Sequence, residues 1–89
     1  MITISVTEQD IKDGLRGDNC FCPVARATRR VIKGHLTVES SYMTLRTRKG
    51  LTCIETPKIV QDFISAFDSG NYVEPISFEL EELDKWTIV

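Results

Sequence analysis

Leu36-Thr37-Val38-Glu39-Ser40-Ser41-Tyr42-Met43-Thr44-Leu45-Arg46-Thr47-Arg48-Lys49-Gly50-Leu51-Thr52-Cys53-Ile54-Glu55 decides the class of this fold. The stretch is rich in Thr, Val, Tyr, Leu and Ile, residues that suit a pleated, half-buried surface. Leu36 and Val38 alternate with Thr37 and Glu39, and Met43 and Leu45 alternate with Tyr42, Thr44 and Arg46. A period of two marks strands with one buried face. Lys49-Gly50 supplies a turn, and Leu51 to Glu55 returns as a hairpin partner. The spacing predicts two or three strands here.

Outward from this block the period changes. On the N-terminal side, Pro23 suits the first helical position, and Val24, Ala27, Thr28 and Val31 fall on one helix face. Gly34 can close that helix, so the reading predicts it over Pro23 to Lys33. On the C-terminal side, Thr56 as cap and Pro57 as first residue open a second helix, with Val60, Phe63, Ile64 and Phe67 on one face and Gly70 at its end. Ile2 to Val6 and Ile76 to Leu80 alternate as further strands. Thr7 with an acid three residues on resembles a capping box and predicts a short helix from Glu8 to Asp13. Glu81 to Val89, which carries Trp86 and Ile88, reads either as a helical turn or as a strand. The expected fold is α+β: a small, mostly antiparallel sheet of four to five strands with two main helices packed on one face. Val24, Val31, Val60, Phe63, Phe67 and Phe78 are the expected core.

At 89 residues the chain has the length of one domain, so residues 1–89 are read as a single α+β domain. Hydrophobic residues make up 42% and charged residues 27%, a balance that excludes a disordered chain. No apolar stretch approaches the roughly 20 residues of a membrane span, and the N-terminus reads as a strand and not as a signal peptide. The expected location is the cytoplasm. Three cysteines are an odd number, a poor disulfide framework.

Net charge is −2, but it is unevenly spread. Residues 1–25 sum to −2, residues 26–49 to +6 and residues 50–89 to −6. Arg26, Arg29, Arg30 and Lys33 recur at i, i+3, i+4 and i+7 with no acid among them, whereas a solvated helix usually mixes signs. Arg46, Arg48 and Lys49 in the hairpin extend the patch. These seven residues are the candidate binding site, for a protein with an acidic surface or, alternatively, for nucleic acid. The competing expectation is that the patch meets the chain's own acidic tail, Glu79, Glu81, Glu82 and Asp84.

Cys20, Cys22, Cys53 and His35 are the only residues that suggest zinc. One residue between Cys20 and Cys22 is tighter than the C-x₂₋₄-C knuckle of structural sites, so no metal and no other cofactor is expected. Cys22 directly before Pro23 sits where a helix N-terminus lowers a thiol pKa. A nucleophile there also needs a base, and His35 is the single histidine. No phosphate-binding loop, dinucleotide fingerprint, zinc-protease helix or nucleophile elbow is present, so no enzyme is expected.

Two segments carry a resemblance. Gly17-Asp18-Asn19-Cys20-Phe21-Cys22-Pro23-Val24-Ala25-Arg26-Ala27 is one. Phe63-Ile64-Ser65-Ala66-Phe67-Asp68-Ser69-Gly70, followed by Val73-Glu74-Pro75-Ile76-Ser77-Phe78-Glu79-Leu80, is the other. Both resemble segments of short uncharacterised proteins encoded by bacteriophages and prophages, whose cysteines more often lie two apart. The resemblance implies an accessory protein, anti-defence proteins among them, acting in the host cytoplasm. It implies no catalytic residue.

Overall fold

A computed structural model describes residues 1–81 and the backbone of residues 87–88. The elements run β1 (Ile2–Val6), α1 (Glu8–Asp13), α2 (Pro23–Arg29), β2 (Ile32–Lys33), β3 (His35–Val38), β4 (Tyr42–Thr47), β5 (Gly50–Glu55), α3 (Lys58–Asp68), β6 (Ile76–Leu80) and β7 (Thr87–Ile88). The fold is α+β. Glu81 and the β7 pairing aside, the tail reading falls on residues 82–86 and 89, outside the described residues.

The expected single sheet is divided. β1 pairs with β6, β2 with β7, and β3-β4-β5 form a separate meander, all antiparallel. Helix α2 packs on both β1 and β3, and α3 packs on β6. The two larger ladders therefore share one core without sharing an edge. Ile2, Ile4 and Val6 point into it from β1, and Leu36, Val38, Met43 and Leu45 from the meander. Val24, Val60, Phe63, Phe67 and Phe78 are buried as expected; Val31 is only partly so, and Ile4, Ile32 and Met43 are fully enclosed. Phe63 and Phe67 stack with ring centroids 6.1 Å apart.

Two helix boundaries differ from expectation, each for a local reason. Helix α2 stops at Arg29, and Val31 donates to the Thr28 carbonyl instead of continuing the ladder. Ile32 and Lys33 are then extended, paired with Ile88 and Thr87. Lys33 thus leaves the helix face on which its spacing placed it. Gly34 is not a helix cap: at φ 149° it lets the chain pass so close to β4 that a Cβ would lie 2.7 Å from the Arg46 carbonyl oxygen. At α3 the N-cap is Pro57, with no side-chain cap. Thr56 is buried instead, and its hydroxyl donates to the Glu39 carbonyl (2.9 Å), tying the hairpin to the helix start.

Candidate functional site

The seven basic candidates divide into two groups. Three stand on α2 or, for Arg30, at its C-cap, and are engaged within the chain. Helix α1 is capped by Thr7, whose side chain accepts from the Asp10 backbone N–H, while the Asp10 carboxylate accepts from the Thr7 backbone N–H at 2.9 Å and from its hydroxyl at 3.1 Å. Arg30 closes on the same carboxylate with two donors, at 2.5 and 2.6 Å, and also donates to the Ser5 carbonyl. Asp10 is 1% exposed. Burial works against its charge, and the bonds from Arg30 and Thr7 outweigh it, holding the carboxyl at about 2 against an ordinary 3.8. Arg26 lies 3.7 Å from Asp10 and 3.6 Å from Asp13. Arg29 donates to the Cys20 carbonyl and covers the Phe21 ring, 5.2 Å from its centroid. The acids that α2 meets are therefore those of α1. Residues 82–86 of the acidic tail lie outside the described residues.

The other four candidates meet at the end of the meander. Arg46, next to last in β4, pairs with His35 and Leu51, Thr47 closes the strand opposite Gly50, and Arg48-Lys49 form the two-residue tip. Gly50 at φ 130° supplies the turn geometry that a side chain resists. Lys33, brought alongside by β2, completes the group. Lys33, Gly34, Arg46, Thr47, Arg48 and Lys49 line one concavity of about 480 Å³. Among the described residues no carboxylate comes within ion-pair distance of Lys33, Arg46, Arg48 or Lys49. Four cations around one mouth repel one another and favour an anion between them.

The cysteines and His35 do not converge. Cys22 caps α2 by accepting the Ala25 N–H on its sulfur (3.4 Å), and it is buried. Burial pushes its thiol above the ordinary value, opposite to the activation expected of a helix N-terminus. Asn19 accepts the Val38 N–H, which places the Cys20–Cys22 segment beside the far end of β3 from His35, about 10 Å along the strand. Cys53 stands on the outer face of β5 opposite Thr44 and is exposed. Among the described residues no group of three His, Cys, Asp or Glu side chains is placed to hold a metal ion. No helix of the described residues is long and apolar enough to cross a membrane.

What sequence spacing missed is Asp10. The signal was present: an acid at the third position of a capping box, directly after the alternating strand Ile2–Val6, points its carboxylate toward the core end of a short helix. No family model, curated protein or solved structure matches this chain.

Proposed function

We propose that the chain is a small non-enzymatic accessory protein that docks an acidic protein surface through Lys33, Arg46, Arg48 and Lys49. The observation that carries this reading is the concavity of about 480 Å³ ringed by four cations without a described counter-ion. Arg26, Arg29 and Arg30 serve the fold in this reading and stand outside the docking site. The mouth offers cations and the Thr47 hydroxyl, which bonds the Gly50 carbonyl at 3.4 Å; it pairs no nucleophile with a base.

An acidic protein surface fits better than nucleic acid on charge. The chain is −2 overall, and the opposite end of the same sheet carries Glu39 and Glu55. A long polyanion leaving the mouth would run past these carboxylates, whereas a compact acidic patch would not. The resemblance to phage-encoded proteins supports an accessory role in a bacterial host. The test is affinity capture from bacterial lysate, with and without nuclease, comparing the native chain with Lys33→Glu/Arg48→Glu/Lys49→Glu. A protein retained after nuclease and lost on the triple reversal is the expected result. Loss of all capture on nuclease treatment would transfer the site to nucleic acid, where affinity falls steeply with salt through counter-ion release.

A further inference from the structure

The meander has a second face, opposite the core. Cross-strand register makes it a three-by-three array. His35, Arg46 and Leu51 form one outer row, and Thr37, Thr44 and Cys53 the middle row. Glu39, whose N–H donates to the Tyr42 carbonyl, Tyr42 and Glu55 form the other. All three residues of each end row are exposed, and the exposed apolar area is concentrated in Tyr42 and Leu51, each more than half accessible. One end of the array is cationic and the other carries two carboxylates.

We infer that this face pairs with the same face of a second copy of the chain about a two-fold axis running across the strands. The geometry selects that axis. A two-fold along the strands would set Arg46 against Arg46. A two-fold across them reverses strand direction and keeps each strand opposite its own copy. His35 then faces Glu39, Arg46 faces the Tyr42 ring, and Leu51 brings aliphatic carbon to the stem of Glu55. Each match occurs twice, as an isologous interface requires. The middle row falls on the axis, so Thr44 faces Thr44 and Cys53 faces Cys53. Arginine over tyrosine is a favourable cation–π pair, and the row holding Arg46 lies against the other copy's row holding Glu39 and Glu55, which fixes the register. Aligned sheets cross at about 30°, which shifts the corners and leaves the middle row in place.

The array measures roughly 15 by 17 Å from the spacing of strands and residues. That is smaller than the ~800 Å² per partner of a standard stable interface, so the dimer is weak and populated at high concentration. Lys33, Arg48 and Lys49 lie beyond the last row; the inference shares only Arg46 with the docking mouth and does not depend on it.

Two measurements test it. A short bis-maleimide added to a Cys20→Ser background should link Cys53 to Cys53, since facing sheets lie about 10 Å apart with both side chains turned inward. The linked dimer should disappear with Cys53→Ser and fade in high salt. Sedimentation over a wide concentration range provides the second measurement. Glu39→Lys/Glu55→Lys makes the face uniformly basic, and His35→Glu/Arg46→Glu makes its rows acidic. Each variant alone should be monomeric, and their mixture should recover the dimer. That recovery also demonstrates that both variants are folded. A native chain that stays monomeric up to its solubility limit, a Cys53 link that survives Glu39→Lys/Glu55→Lys, or a mixture that fails to associate would each overturn the two-fold pairing.

Discussion

Helix α2 and the β4–β5 hairpin look alike in sequence, each a run of cations with scarcely an acid between them, yet the fold uses them in opposite ways. Arg30 keeps about half of its side chain in solvent while gripping a carboxylate that is 1% exposed. Arg46, Arg48 and Lys49 stand exposed with no described carboxylate in reach. The difference lies in the acid and not in the base. A buried carboxylate needs its counter-charge wherever the chain can supply one, and α2 passes nearest to Asp10. A basic residue's own exposure therefore says little about whether it is structural.

The largest expected effect breaks that contrast at its stronger side. Arg30→Glu should cost about 3–5 kcal/mol in denaturant unfolding, because it leaves Asp10 buried beside a like charge. Arg30 is half exposed, and it is the contact with buried Asp10, not burial of its own, that makes it structural. A loss below 1 kcal/mol would place the two basic groups in one class.

Acid should reach the same contact without mutation. Because the folded Asp10 carboxyl titrates at about 2 and the unfolded one near 3.8, its contribution is fully present above about pH 4 and is lost as pH falls toward 2. The size is about 2 kcal/mol. Asp10→Asn should be less stable at neutral pH and should lack this component of the acid loss, as measured by unfolding at a series of pH values. Gly34→Ala comes next. Its φ of 149° and the approach to the Arg46 carbonyl should cost about 1–3 kcal/mol and disturb the mouth from below.

The smallest expected effect sharpens the other side. Arg48→Glu and Lys49→Glu should each change unfolding stability by no more than about 0.5 kcal/mol, as surface substitutions do. The same two changes should weaken capture of an acidic partner. A stability loss comparable to that of Arg30→Glu would show that the hairpin cations too belong to the fold.

Much of the local structure was legible because local chemistry decided it. The capping box of Thr7 and Asp10, the alternation of Ile2–Val6 and Ile76–Leu80 and Pro23 at a helix start all stand where the residues put them, while the hairpin turn lies one residue earlier than Lys49-Gly50, at Arg48-Lys49, with Gly50 already in β5. The helix face Val60, Phe63 and Phe67 is buried as its spacing requires. What was not legible depended on distant partners. Val31 and Ile32 continue an acceptable helical pattern, yet Val31 lies in the turn that ends α2, and the pairing of Ile32 with Ile88 starts a strand there. The division into separate ladders is settled by β1 meeting β6, a partner more than seventy residues away at the Ser5–Ser77 position. The site divided for the same reason: Arg30 and Arg48 carry the same charge, and twenty residues separate Arg30 from the carboxylate that sets it apart.

The pairing of β1 with β6 also sets an order of events during synthesis. Some seventy residues separate Val6 from its partner Ile76, and at about 5–20 residues per second a ribosome takes roughly 4–14 s to deliver them. Throughout that interval the apolar side of β1 has no strand beside it. Helix α2, which packs on β1 in the finished molecule, emerges within the first third of the chain. Helices α1 and α2 are therefore both made before the strand that completes the β1 ladder. Asp10 and Arg30 both precede β6, so the carboxylate and its counter-charge are on the chain before the closing strand arrives.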